Sequence, residues 1–203
     1  MNKINYFSIL GFTALYIVTV FVTAFLGYLH PLCWVGFLAL AALLGAYPYY
    51  HVALRWPKFG AGTLLGLAFG LLLLVTGEGD VLTLIIMTAA GVLSDIVRQH
   101  IGRIVYAYPV LAIGVICWLL PLWTRTEWYH DGAAKELGID YADGLMLLAN
   151  WWGLLLTIAI TAFMGYIGIR MATRCIKSNC SMLPALSRRK YTARNRPMPR
   201  FLV

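Results

Sequence analysis

Long apolar runs separated by short polar breaks dominate the pattern of positions along this chain. The six runs lie at about 6–28, 32–50, 60–76, 81–97, 105–124 and 145–169. A helix of about 20 apolar residues crosses the hydrocarbon core of a bilayer, so each run predicts a transmembrane helix. The third and fourth runs are short by that measure, and thinning of the bilayer or burial against other helices is expected there. The pattern predicts an all-α integral membrane protein with six spans.

Composition agrees with a membrane protein and excludes two other classes. The 203 residues are 61% hydrophobic and 12% charged, with a mean hydropathy of +0.78. A soluble domain carries about 25% charged residues, and disorder requires low hydrophobicity with high net charge. We expect a six-helix transmembrane domain over 1–173, with an external loop at 125–144, followed by a basic cytoplasmic tail over 174–203.

Basic residues concentrate on one side of the predicted bundle. With the N-terminus inside, fourteen of the sixteen Lys and Arg residues lie on the inner side, and Arg125 and Lys135 lie outside. Seven of the eight acidic residues lie outside. Because basic residues beside spans are retained in the cytoplasm, the predicted topology is N-in and C-in, in a prokaryotic plasma (inner) membrane. The partners expected for the net charge of +8 are anionic lipid headgroups, not nucleic acid.

Sequence motifs for catalysis, metal binding and nucleotide binding are missing. There is no G-x-x-x-x-G-K-[ST], H-E-x-x-H, C-x-x-C or G-x-S-x-G pattern. His51, Asp95 and His100 lie at cytoplasmic helix ends, where the pair of Asp95 and Arg98 most simply ties a helix end to its neighbour. We expect no catalytic residue, no metal site and no intrinsic cofactor. The four cysteines do not suggest a disulfide framework: Cys33, Cys117, Cys175 and Cys180. The tail pair, Cys175 and Cys180, is interpreted as reduced cytoplasmic thiols.

Aromatic side chains are frequent on the predicted outer face. Most of them fit the interfacial belt in which Trp and Tyr settle at headgroup level. Trp151 and Trp152 are adjacent, and because neighbouring helical residues point about 100° apart, one of them is expected to face inward. An apolar pocket with a few polar groups is how small-ligand sites are built. The predicted substrate-binding residues are Tyr28, His30, Trp34, Glu78, Trp123, Trp128, Tyr129, Trp151 and Trp152.

Small residues are spaced for close helix packing. Gly62, Gly66 and Gly70 lie four apart on one face of the third run. Such spacing lets two helix backbones approach within a membrane. Packing within the molecule is the favoured interpretation, and docking of a partner membrane protein is the alternative.

Several short segments together resemble a known family. They are Leu10-Gly11-Phe12-Thr13-Ala14-Leu15-Tyr16, Thr76-Gly77-Glu78-Gly79, Gly91-Val92-Leu93-Ser94-Asp95, Leu120-Pro121-Leu122-Trp123 and the stretch 137–146, followed by Trp151-Trp152. Over about residues 5–175 the chain resembles the Trep_Strep (MptD-type) family, substrate-binding S components of energy-coupling factor (ECF) ABC transporters.

This resemblance implies a six-helix membrane subunit that captures a scarce nutrient at the outer face. It further implies a T-type membrane subunit and two ATPase subunits as partners, with ATP used by those partners and the S subunit toppling in the membrane. S components dock through an Ala-x-x-x-Ala pattern on the first helix. Here Ala14 is followed by Val18, so half of that pattern is present, and Gly11 with Ala14 is the expected small face.

The aromatic candidates, with one histidine and few cations, suit a flat or apolar cofactor-like substrate, such as a tetrapyrrole or an iron chelate. The segment 125–144 is expected to cover it as a lid. Two other functions remain open. One is an autonomous membrane carrier or channel. The other is an intramembrane enzyme acting on lipid or peptide, in which His51, Asp95 or His100 would be required for activity.

Overall fold

The computed structural model describes the backbone from Tyr6 to Ser181 and the side chains of residues 6–175. Helices make up 89% of the described residues, none of which lies in a strand. The helices are α1 (Tyr6–Ala24), α2 (Pro31–Arg55), α3 (Ala61–Thr76), α4 (Val81–Ile101), α5 (Ile104–Gly114), α6 (Pro121–Thr124), α7 (Thr126–Leu137), α8 (Ile139–Met146) and α9 (Trp151–Ser181). Two 3-10 turns continue α1 and α5, over Phe25–Leu29 and Val115–Leu119. The predicted all-α class is confirmed, and the predicted tail beyond Ser181 lies outside the described residues.

Four helical segments are long and apolar enough to cross a membrane. They are Tyr6–Leu29, Pro31–Arg55, Val81–Ile101 and Trp151–Cys175. The apolar α3 has 16 residues, and α5 with its 3-10 turn, Ile104–Leu119, is also a shorter apolar helix. Sixteen residues at 1.5 Å each reach about 24 Å, less than the roughly 30 Å hydrocarbon core. The structure therefore contains four candidate spans and two short apolar helices, and the six-span topology stays a prediction.

The end of α4 and the start of α9 differ from the sequence prediction. The fourth run was expected to be short, but α4 has 21 residues because its polar end continues the helix to Ile101, where Gly102 ends it with φ of +67°. The last helix begins at Trp151 rather than at 145, since Leu145 and Met146 belong to α8.

The segment expected as a loop at 125–144 is largely helical, forming α7 and most of α8. Glu127 in the first turn and Lys135 in the last turn of α7 complement the dipole of the helix. Gly138 has φ of +96°, a conformation that other residues rarely adopt, and it separates the two helices.

Helix α2 lies at the centre of the bundle, where it contacts α1, α3, α5, α8 and α9. Buried tyrosines fill the space around it. The Tyr108 hydroxyl donates to the Ala42 carbonyl over 2.7 Å, and the hydroxyls of Tyr49 and Ser94 are 3.1 Å apart. A buried hydroxyl with a partner avoids the cost of an unmade hydrogen bond. The apolar core can therefore hold these polar groups.

The glycine stripe of α3 packs against α4. A Cβ at Gly62 would lie 2.7 Å from the Gly91 carbonyl oxygen, and one at Gly66 would collide with the carbonyl of Met87. Gly70 is likewise buried, against Leu84. The favoured prediction of packing within the molecule is confirmed. In this structure α4 covers these glycines.

Asp95 of α4 caps the start of α3. Its fully buried carboxylate accepts from the backbone N–H groups of Gly60, Gly62 and Thr63 at 2.9–3.0 Å and from the Thr63 hydroxyl at 2.9 Å. These groups lie at the helix start, where N–H groups have no partner within the helix.

Arg98 completes this junction by joining Asp95 to the end of α2. It forms an ion pair with Asp95 at 3.2 Å, and it donates to the carbonyls of Ala53, Trp56 and Lys58. The expectation that this pair ties a helix end to its neighbour is confirmed.

Candidate functional site

A cavity of about 350 Å³ lies at the opposite end of the bundle from Asp95. It is bounded by the start of α2, the turn between α3 and α4, the 3-10 turn after α5, and helices α7 and α8. Five aromatic rings and two carboxylates are prominent in its lining: Tyr28, Trp34, Trp118, Trp128, Tyr129, Glu78 and Glu136. Its volume, and walls that combine aromatic rings with a few polar groups, fit a small-molecule site.

The aromatic wall is a series of edge-to-face rings. Tyr28 and Trp34 meet at 80° with centroids 5.7 Å apart. Phe37 then packs against both Trp34 and Trp118, with centroids 6.3 and 5.6 Å away. Trp118 also contacts Phe21 and Phe69 from behind. Because aromatic pairs in this geometry attract one another, the wall is held in place before any ligand arrives.

The position of Trp34 depends on Gly27. A Cβ at Gly27 would occupy the space of the Trp34 ring, so only glycine fits there. His30 sets the start of α2, because its Nδ1 accepts from the Leu32 N–H at 3.1 Å, and Pro31 follows at the first helical position. His30 therefore has a local structural role and does not line the cavity.

Helix α7 covers the cavity and is attached to α2 by a hydrogen bond. The Trp34 Nε1–H donates to the Tyr129 hydroxyl over 2.5 Å. Burial raises the pKa of Tyr129 to about 12, so this hydroxyl stays neutral. Since it accepts from Trp34, its own hydrogen remains able to donate to a ligand. Every residue of α7 keeps some exposure, which leaves this helix weakly anchored.

Helix α8 is joined to its surroundings by three contacts. The Tyr141 hydroxyl donates to the Gly27 carbonyl over 2.5 Å. Gly144 lies so close to Pro31 that a Cβ would be 2.8 Å from the proline ring. The Asp143 carboxylate is 3.0 Å from Nε2 of His130 in α7, and this hydrogen bond raises the pKa of His130 above its usual 6.5.

Negative charge surrounds the cavity. Glu78 and Glu136 line it, and within the described chain neither forms an ion pair or a hydrogen bond. The two elements on this side, the α3–α4 turn and 125–144, hold seven acidic residues and two basic ones. Asp80 is one of the seven, and it caps α4 by accepting from the Thr83 N–H at 2.8 Å, which lowers its pKa. The sum of these charges gives this end a negative potential.

Five of the nine predicted binding residues line this cavity: Tyr28, Trp34, Glu78, Trp128 and Tyr129. Trp123 instead donates through Nε1 to the Leu148 carbonyl at 2.9 Å, which fastens the chain after α8.

The other two predicted residues, Trp151 and Trp152, are 78% and 80% exposed. The expectation that one of them faces inward is wrong. The buried stripe of α9 begins at Gly153 and continues through Thr157 and Thr161, so both tryptophans fall beside it.

Trp118 and Glu136 are among the lining residues that the sequence prediction missed. Trp118 lies near the predicted outer end of the fifth run, and Glu136 lies in the segment 125–144 that was expected to be a loop. A signal for Glu136 exists in the sequence, because Tyr129, Gly132 and Glu136 are spaced to share one helical face. That spacing has meaning only once the segment is recognised as a helix.

The predicted docking residues of α1 point away from the bundle. Gly11 and Ala14 are exposed, and Val18 is 54% exposed. A Cβ at Gly11 would meet no described atom within 4 Å. This face of α1 is therefore accessible to lipid or to another protein.

Helices long and apolar enough to span a bilayer, arranged around an apolar core, define an integral membrane protein. Comparison with protein families identifies it further. Residues 6–178 match the family Trep_Strep, described as a hypothetical bacterial integral membrane protein. The chain belongs to this family, as the sequence resemblance predicted. No curated protein and no solved structure matches it.

Proposed function

We propose that this protein is the membrane-embedded substrate-binding (S) subunit of an ECF-type ABC importer. The observation that carries the proposal is a preformed aromatic cavity, roofed by a separate helical segment, at one end of an apolar helical bundle. The sequence has no motif for ATP hydrolysis. A binding site without an energy source suits a receptor subunit that is driven by partners.

The orientation follows from the two ends of the bundle. Basic residues Arg55, Lys58, Arg98 and Arg103 lie at the end opposite the cavity. By the positive-inside rule that end faces the cytoplasm, so the cavity opens outward, with the N-terminus inside and six helices in the membrane. The expected location is the plasma (inner) membrane of a bacterium.

The partners are a T-type membrane subunit and two ATPase subunits that use ATP. The accessible face of α1 around Gly11, Ala14 and Val18 is the docking surface for the T subunit. Small residues there allow close approach of another helix, which is how helices associate in lipid.

The substrate is a scarce micronutrient captured beneath α7 and α8. A tetrapyrrole or an iron chelate would suit the flat aromatic wall. However, the carboxylates that such molecules often carry would face Glu78 and Glu136, and like charges repel. The cavity therefore favours cargo without negative groups.

The contacts of Asp95 and His51, two of the three candidate residues, disfavour an intramembrane enzyme. The Asp95 carboxylate is occupied by four hydrogen bonds and Arg98. His51 stacks on Phe12 with centroids 4.3 Å apart, and its Nδ1 is 2.9 Å from Arg55. A side chain committed to such contacts is not free to act on a substrate.

The test is purification of the tagged chain from its native membranes, followed by reconstitution into liposomes. We expect T-type and P-loop ATPase subunits to co-purify, and uptake to require both the complex and ATP. Ala14→Leu should reduce co-purification, whereas Ala159→Leu, at an exposed position of α9, should not. Transport by the isolated chain would instead establish an autonomous carrier, and the absence of ATPase subunits from the purified protein would contradict the proposal.

A further inference from the structure

We infer that the cavity binds a soluble organic cation, an ammonium or heteroaromatic cation carried on a flat or apolar body. As a statement about transported cargo, this rests on the proposed function. As a statement about binding, it rests on the cavity alone.

The first argument is the pairing state of the two carboxylates. Glu78 comes from the α3–α4 turn and Glu136 from α7, so two separate elements each bring one negative charge to the same cavity. Neither has an ion-pair or hydrogen-bond partner in the described chain, and the cavity lining contains no Lys, Arg or His among the described residues. Two unpaired charges of one sign around a concave site attract a ligand of the opposite sign.

The second argument is the aromatic wall. Rings of Trp and Tyr attract cations through their faces, and quaternary ammonium groups are recognised by several rings set at angles to one another. Tyr28 and Trp34 form two walls that meet at 80°, while Trp118 and Trp128 add further indole rings to the lining. Combining these rings with carboxylates favours a ligand that has an apolar surface as well as a positive charge.

The third argument separates a soluble ligand from the headgroup of a membrane lipid, which can also carry an ammonium group. The roof of the cavity is α7, whose exposed residues are mostly polar (sequence TEWYHDGAAKEL). Because a helix with a polar exposed surface lies in water, the cavity beneath it is reached from the aqueous side. We therefore assign the cavity to a soluble cation, and the experiment includes lipid as a competing source.

The experiment is a titration of tryptophan fluorescence of the purified full chain in detergent. Three probes share one aromatic ring and differ in charge: benzyltrimethylammonium, benzyl alcohol and phenylacetate. We expect saturable binding of the cation with an affinity at least about tenfold higher than that of benzyl alcohol. Phenylacetate should bind more weakly than benzyl alcohol. High salt should weaken the binding of the cation and not that of the other two probes.

Substitutions locate the binding. Glu78→Gln and Glu136→Gln should each lower the affinity for the cation by about tenfold. The affinity for benzyl alcohol should stay the same. The matched control is Glu127→Gln, at an exposed position of the same helix α7 that does not line the cavity, and it should bind like the unmodified protein. Equal melting temperatures of the variants would show that the fold is retained.

Two results would overturn the inference: equal or tighter binding of benzyl alcohol or phenylacetate, or a fluorescence response to phosphatidylethanolamine in mixed micelles while soluble cations fail to bind. The outcome is separable from the proposed function. If ATPase subunits co-purify but the cation does not bind, the ligand class is wrong and the importer stands. If the cation binds but no such subunits co-purify, the importer proposal fails and the cation site stands.

Discussion

Replacing Asp95 by asparagine tests whether the junction of α2, α3 and α4 depends on one carboxylate. The amide keeps the shape of the side chain but removes the charge and one acceptor oxygen. The Asp95 oxygens accept from three backbone N–H groups, from the Thr63 hydroxyl and from Arg98. After substitution, the amide NH₂ faces N–H donors, and Arg98 keeps its charge without a counter-ion.

The expected loss of stability follows from these contacts. Hydrogen bonds to a charged group contribute about 1.5–3 kcal/mol each, and removal of one partner of a buried ion pair costs about 3–5 kcal/mol. These contributions overlap, since the same oxygens serve both, and the retained amide oxygen preserves part of them. We therefore expect Asp95→Asn to lower the free energy of unfolding by about 3–5 kcal/mol.

The assay is equilibrium unfolding in mixed detergent micelles, followed by circular dichroism. Asp80→Asn is the matched control, because Asp80 caps α4 from an exposed position and asparagine is an equally good N-cap. That variant should change the free energy by only a few tenths of a kcal/mol. The reasoning is refuted if Asp95→Asn costs less than about 1 kcal/mol, or no more than Asp80→Asn.

Three further predictions concern packing and the covering helices. Gly66→Ala should lower the melting temperature and cost about 1–3 kcal/mol in free energy of unfolding, because its Cβ would press on the Met87 carbonyl. The control Gly11→Ala, whose Cβ lies in open space, should leave the melting temperature unchanged or higher. Equal losses in the two variants would contradict this packing. Tyr129→Phe should leave the Trp34 N–H unpaired and speed hydrogen exchange across α7; exchange as slow as in the unmodified protein would mean that this bond does not hold the helix. The raised pKa of His130 means that the stabilising effect of its contact with Asp143 is fully present below about pH 6.5 and is lost as the pH rises through the folded pKa. Proteolysis between α7 and α8 should therefore increase toward pH 8, and Asp143→Asn should reduce that dependence, with Asp131 retaining part of it.

Those features of the fold that local spacing determines could be predicted from the sequence. Gly62, Gly66 and Gly70 repeat every four residues, so their common face follows from helix geometry. Asp95 and Arg98 are one helical turn apart, so their pairing also follows from helix geometry. Helix ends were less predictable, because polar residues such as Arg98 extend α4 beyond its apolar run through contacts with α2 and the α2–α3 turn.

The candidate site was predicted only in part, because it depends on elements that are distant in the sequence. Trp34 and Tyr129 are 95 positions apart, yet they share a hydrogen bond. Trp118 resembles an interfacial residue by position, and its role follows from three phenylalanines of other helices. Trp151 and Trp152 look like pocket residues, but the buried stripe of α9 begins after them.

The short helices α3 and α5 have a mechanical consequence. They contact each other and both pack on α4, and with its 3-10 turn α5 reaches about 24–27 Å, similar to α3. The flank that includes α1, α2 and α9 is longer. A bilayer that matches both flanks must be thinner beside the short helices than beside the long ones. This one-sided hydrophobic mismatch favours a tilt of the molecule. The tilt of the protein in a membrane is therefore expected to depend on acyl-chain length.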